Sequence, residues 1–202
     1  MTSCFSVNVL GTLESGMFQS CDNLYCKISL LHGQDWVTIS GVEEGITQMA
    51  KSCQTTSKFE NVTLRECVWN FPIQAVYEST NVFGWPQVVI CVYGMDFMGR
   101  DIVKGYGCLR LPRSSGRFTK YISMITPLAS SPLSNFLSFI TGRKPEFIDS
   151  KFISKSEGRE GKIVNWVIMI YRFKVTRVQS SGSVKLNLNI IIKDLDNFGY
   201  TY

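Results

Sequence analysis

A chain of 202 residues with 45% hydrophobic and 18% charged residues is too apolar to be mainly disordered, and its size suits one domain better than two. No apolar run approaches the roughly 20 residues that span a bilayer, and the opening MTSCFSVNVL has neither a basic leader nor a long apolar segment. On those two grounds the chain, whose net charge is +5, reads as cytosolic, so the Asn61-Val62-Thr63 sequon reads as accidental and the seven cysteines, which lack a CxxC spacing, as reduced structural thiols.

In chain order, CFSVNVLGTLESG from Cys4 to Gly16 alternates apolar and polar residues up to a glycine, which predicts a first strand and a hairpin bend. LYCKISLL, from Leu24 to Leu31, predicts a second strand ending at His32-Gly33-Gln34-Asp35-Trp36. Residues 41–66 are polar, hold neither helical nor strand period, and read as a long loop, either a binding loop or an insertion. Val68 to Glu78, Pro86 to Tyr93 and Ile102 to Leu111 are rich in Val, Ile, Tyr and Trp between turn-forming clusters, and read as three adjacent antiparallel strands. FTKYISMIT reads as another strand, and Leu133, Phe136, Leu137 and Ile140 fall at helical spacing before Gly142, which predicts a short helix. Ile163 to Phe173 and Val184 to Ile192 are the last strand candidates. About eight strands, one short helix, no internal repeat and no βαβ rhythm predict an all-β antiparallel sandwich, a single domain over residues 1–202.

Between Arg100 and Lys144 stand eight bases (Arg100, Lys104, Arg110, Arg113, Arg117, Lys120, Arg143, Lys144) and one acid, Asp101, so this region carries 8 − 1 = +7 and the remainder of the +5 chain carries −2. If Arg110, Arg113, Arg117 and Lys120 share a face, they could meet anionic lipid or an acidic partner; otherwise they are a solvated rim that keeps sheet edges unpaired. Aromatic residues are not interleaved with these bases, which argues against nucleic acid. His32 is the one histidine, so every Ser/His/Asp or Cys/His arrangement depends on it, and catalysis would need a pocket holding His32 or Cys26 beside a positioned carboxylate. No cofactor is expected. Trp36, Trp69 and Trp85 read as core on size alone, with an interface role as the alternative.

Two resemblances follow from the motifs. Val92-Tyr93 leads into a loop, Gly94 to Asp101, that resembles the calcium loop of C2 domains, in which a strand end precedes an Asp-x-Asp pair and a later Asp. Asp96 matches the second Asp of the pair, Gly94 replaces the first, and Asp101 comes one residue early for the third. Calcium takes six to eight oxygen ligands, so the resemblance implies a C2-like sandwich whose calcium site is degenerate and holds no metal. More specifically, GQDW (Gly33, Asp35, Trp36), EEGI at Glu43 to Ile46, VWNFPI (Trp69, Asn70, Pro72), STN-x-x-GWPQ (Gly84, Trp85, Pro86), VYG (Tyr93), GYG (Gly105, Gly107) and GRKPE at Gly142 to Glu146 together resemble the B9 domain family. The likeness runs from the first strand to Tyr200. It implies structural roles for these motif residues and a non-enzymatic subunit of the tectonic-like (Meckel syndrome) complex at the ciliary transition zone, beside the basal body. Its implied partners are other B9-domain proteins and tectonic-like subunits, and its implied role is to restrict membrane-protein diffusion between cilium and cell body, with consequences for ciliogenesis and Hedgehog signalling.

One segment departs from the family pattern. Gly161 to Lys174, GKIVNWVIMIYRFK, intervenes where the family passes directly from a segment like Glu157 to Glu160 to one like Val175 to Val178. It reads as an insertion, either a lineage-specific hairpin or a retained in-frame intron, and as an apolar, weakly charged segment it carries an aggregation risk unless covered.

Overall fold

A computed structural model describes residues 4–19, 22–56, 63–96, 99–127, 146–147, 160–164, 172–175 and 178–200. Strand periodicity builds the framework. In β1 (Phe5–Phe18), Phe5, Val7 and Val9 are buried while Ser6, Asn8 and Leu10 between them are only half-buried, and in β13 (Val178–Lys193) Val184, Leu186, Leu188 and Ile190 are buried with Lys185, Asn187 and Asn189 turned outward. The other strands of the main sheet are β2 (Leu24–Leu31), β3 (Trp36–Gly41), β4 (Glu44–Ile46), β5 (Ser52–Thr56), β6 (Thr63–Ser79), β7 (Gln87–Met95), β8 (Asp101–Arg110) and β9 (Gly116–Pro127). A separate three-stranded sheet pairs β10 (Glu146–Phe147), β11 (Glu160–Val164) and β12 (Arg172–Val175).

All described pairings are antiparallel, and the main order is β3-β6-β1-β13-β9-β8-β7-β2-β4, with β5 beside β6. The β8–β9 junction holds one register pair, Tyr106 with Ile125, so the sheet folds there into two facing halves. Gly105 and Gly107 make the fold possible. A Cβ on Gly105 would stand 2.9 Å from Met124 Cβ, and one on Gly107 2.6 Å from Met124 Sδ, so the bare backbone of β8 admits the Met124 side chain of β9. Phe5, Val7, Val9 and Trp69 of one half then pack in one core with Leu24, Ile28, Val88, Ile90 and Val92 of the other. The fold is an all-β antiparallel sandwich. β7 is buried on both faces, because Val89 and Cys91 form a second cluster with Val103 and Tyr106 opposite the main core, which accounts for its unbroken VVICVY run.

Several expectations need correction. Val68 to Glu78 is not adjacent to β7, since β6 pairs with β1, β3 and β5 and the 80–86 connection crosses from one half to the other. β1 does not bend at its glycines; it runs through Gly11 and Gly16 with a bulge between Leu13 and Ser15. Gly16 serves close packing, because a Cβ there would meet Trp69 Cη2 at 2.5 Å. Residues 41–66 are not simply a loop, because they contribute β4 against β2 and β5 against β6. Ile163 to Phe173 is not one strand: Ile163 pairs with Arg172 and Lys162 with Phe173, as the arms of an antiparallel pair. Ten strands stand in the main sheet, more than the eight expected, and the short helix of Leu133 to Ile140 lies outside the described residues. The described residues contain only a 3-10 turn at Asp196–Phe198 as helical structure.

Candidate interaction surface

At one end of the sandwich two connections lock together. β6 ends where Ser79 pairs with both Phe5 and Trp36, which brings the β2–β3 connection against the β6–β7 connection. Gly33 N–H donates to the Gly84 carbonyl at 2.8 Å, and the approach leaves no room for side chains, since a Cβ on Gly84 would stand 2.5 Å from Gly33 Cα. Gly84 also holds φ +70°, a left-handed value that favours glycine. Trp36 Nε1 donates to the Phe83 carbonyl at 2.7 Å, Ser79 Oγ to the Asp35 carbonyl at 2.8 Å and Asn81 Nδ2 to Asp35 Oδ2 at 3.1 Å. Phe83 N–H donates to Asn81 Oδ1 at 3.0 Å. Below, Trp36 and Trp85 are buried edge to face with ring centroids 5.1 Å apart, and buried Pro86 accepts from Leu111 N–H at 3.1 Å.

The remaining motif residues serve the framework. Trp69 is buried and donates through Nε1 to the Leu24 carbonyl at 2.9 Å, while Asn70 takes a positive φ of 47°. Pro72 stands on the stretch of β6 left between β3, which pairs residues 75–79, and β5, which pairs residues 63–67. That edge is guarded: proline has no N–H, Gln48 Nε2 donates to the Trp69 carbonyl at 2.9 Å, and Val42 N–H to the Gln74 carbonyl at 3.3 Å. Tyr93 stacks on Tyr25, its pair on β2, with centroids 5.3 Å apart.

The calcium-like loop lies at the opposite end of β7. Asp96 Oδ1 accepts from Arg100 N–H at 2.9 Å and Oδ2 accepts from Arg100 Nε at 3.0 Å, with Nη2 in ion-pair contact with Oδ2 at 2.8 Å. Gly94 is buried, and a Cβ there would meet Leu24 Cδ2 at 2.6 Å, so an aspartate at this position would collide with the core. Asp101 is exposed at the start of β8, and among the described residues no group of three His, Cys, Asp or Glu is arranged to hold a metal ion.

The four cations singled out from sequence do not form one face. Arg110 closes β8 and Arg113 sits in the following turn, both exposed. Arg117 and Lys120 lie three residues apart on β9 and therefore point to opposite sides. Arg117 is in register with outward Asn189, whereas Lys120 is in register with core-facing Leu186 and lies 5.8 Å from the Phe118 ring centroid.

His32 does stand beside a carboxylate, and the geometry is that of a strut. Nδ1 lies 2.9 Å from the Gly33 carbonyl, while Nε2 lies 3.1 Å from Thr38 Oγ1 and 3.7 Å from Glu43 Oε1; Thr38 Oγ1 donates to Glu43 at 2.9 Å. A hydrolytic relay needs the hydroxyl and the carboxylate on different ring nitrogens, and here both approach the same one. Cys26 is buried, and burial pushes its thiol well above the ordinary range, away from thiolate reactivity.

A family model described as "Ciliary basal body-associated, B9 protein" (B9-C2) matches residues 7–191. The chain belongs to the B9 domain family. It is similar to B9 domain-containing protein 1 of Xenopus laevis, 44% identical over 198 residues, covering 98% of this chain and 89% of that one. The human protein of the same name is 42% identical, with 98% and 87% covered. B9 domain-containing protein 2 of Bos taurus is 26% identical, with 96% and 97% covered. A C2 domain of a plant extended synaptotagmin aligns over 91% of this chain and 92% of its own at 9% identity and a TM-score of 0.39, a likeness too distant to carry weight. Family membership ties the chain to the cilium and its basal body.

Sequence reasoning singled out the glycines and tryptophans of the interlocked loops but not Phe83, which is 76% exposed at their tip. The available signal was a bulky aromatic between polar and glycine residues in a turn, where solvent is the default surrounding.

Proposed function

We propose that this B9 chain is a non-enzymatic scaffold subunit of the tectonic-like complex at the ciliary transition zone, in the cytoplasm beside the basal body and its cytoskeleton. In this reading it binds other B9-domain proteins and tectonic-like subunits, supports ciliogenesis and the diffusion barrier for membrane proteins between cilium and cell body, and affects Hedgehog signalling through that barrier. The observation that carries the reading is the B9 match over residues 7–191, a family described by its basal-body association. The geometry supports it in a second way. His32 and Asp96, the groups that sequence offers for catalysis or metal binding, are held in local struts, which suits a rigid protein-binding module.

The test is isolation of the tagged full chain from ciliated cells in buffer containing a calcium chelator. Recovery of other B9-domain proteins and staining at the ciliary base are expected; diffuse staining with no B9 partner recovered would contradict the reading.

A second reading, a calcium-independent module for anionic lipid, is favoured by exposed Arg110, Arg113 and Arg117 around the β8–β9 turn. It predicts binding to phosphatidylserine vesicles that weakens with salt and is lost in Arg113→Glu/Arg117→Glu. Vesicle binding unchanged by that double substitution would remove it.

A further inference from the structure

Among the described residues Phe83 is the most exposed large hydrophobic side chain, at 76%. Its backbone is fixed on both sides: its N–H donates to Asn81 Oδ1 at 3.0 Å and its carbonyl accepts from Trp36 Nε1 at 2.7 Å. The adjoining Gly84 is closed against Gly33 by the 2.8 Å hydrogen bond. Loops usually lose affinity to the entropy of ordering on association, and this one is ordered by the fold. An aromatic ring has two side-chain torsions and a large apolar area, so a fixed phenyl group is the kind of residue that dominates a protein interface once it enters a pocket.

The charge around the ring selects the partner. The β2–β3 connection that locks against the ring's loop carries Asp35 and no Lys or Arg, residues 80–86 carry no charge, and the adjoining end of β6 carries Glu78. Asp35 is exposed and fixed beside the loop through Asn81. Cations come to this end from the separate β8–β9 turn, which joins the loop at Pro86. An anionic lipid surface would repel the Asp35 carboxylate, whereas a protein pocket with an apolar floor and a basic rim would complement both ring and acid.

The geometry points to Phe83 as the anchor by which this chain seats in an apolar, basic-rimmed pocket of another B9-domain protein. The inference rests on the scaffold reading and adds to it the contacting surface and the chemistry of the pocket.

The test compares the full chain with Phe83→Ala, Phe83→Gln, Asp35→Asn and Tyr121→Ala. Binding to a purified second B9-domain protein from the same organism is measured by calorimetry, alongside flotation with phosphatidylcholine/phosphatidylserine vesicles and a thermal melt of every variant. Both Phe83 variants should weaken the protein complex on the order of tenfold or more with melts unchanged. Asp35→Asn should weaken it several-fold, less so at high salt, and Tyr121→Ala, which removes another exposed ring, should leave it as it was. Phe83 variants that bind the second protein as tightly as the parent, or that lose only vesicle binding, overturn the anchor and leave the scaffold reading standing. A parent chain that does not bind the second B9 protein overturns both.

Discussion

The two ends of the sandwich handle polar groups in different ways. At one end, connections from β2 and β6 are knitted by side-chain to backbone hydrogen bonds over two buried tryptophans, and a glycine pair closes so tightly that neither position admits a Cβ. At the other, the calcium-like loop is closed by the Asp96–Arg100 pair at 2.8 Å, and Gly99, at φ +74°, has nothing near its missing Cβ. The first end is fixed by packing and the second by charge. A motif-dense loop can thus be an architectural device that displays one residue, while a loop resembling a metal site can keep its shape through a cation of its own.

Substitutions at both ends can break or sharpen this contrast. Trp85→Ala should have the largest effect, lowering unfolding free energy by about 3–5 kcal/mol, read from the urea midpoint, because it empties the space against Trp36. Gly84→Ala and Gly99→Ala form a matched pair with similar positive φ. The first should cost roughly 1–3 kcal/mol or more, because the new Cβ meets Gly33, and the second about 1 kcal/mol, because only the backbone preference changes. Equal losses would show that the locked end is no more crowded than the other. Asp96→Asn should destabilise by about 1 kcal/mol through the weakened bonds to Arg100, and millimolar calcium should not raise the melting temperature of the parent chain. A calcium-induced rise abolished by Asp96→Asn would restore the metal reading.

The smallest effect belongs to the outer face between the ends. Hydrogen bonds from Lys185 at 2.7 Å and Asn187 at 2.5 Å hold the Glu14 carboxyl below its ordinary value of 4.5. A depressed carboxyl stabilises the fold fully above that ordinary value and loses its contribution as pH falls through the lower folded-state value. Glu14→Gln should therefore lower stability slightly at neutral pH and leave it nearly unchanged in acid, which flattens the acid limb of a stability profile.

Much of the framework was legible because alternation is a direct trace of burial. The predicted strand from Leu24 to Leu31 is β2 with the same bounds, and the runs ending at Tyr93, Leu111 and Ile192 stop within two residues of where β7, β8 and β13 stop, although β13 begins at Val178 rather than Val184. Misreadings arose where one residue type serves two purposes. Gly16 signals a turn in sequence and a close approach to Trp69 in the fold. β4, with three residues, is too short to express a period, so its segment reads as loop. Adjacency in sequence suggested adjacency in the sheet for β6 and β7, but Gly33 and Gly84 let the chain cross between halves. Of the site, the tryptophans were legible from size, whereas Arg117 and Lys120 are separated by strand parity only once β9 is seen to begin at Gly116. That Asp96 would be occupied by Arg100 depends on how the loop turns, which spacing alone does not specify.

The most direct test of the central claim, a rigid B9 sandwich that binds its own family without calcium, is titration of the purified full chain with a purified second B9-domain protein, with chelator and then with millimolar calcium. The account predicts a defined complex of the same affinity in both buffers. A complex that forms only with calcium, or no complex in either, would contradict it.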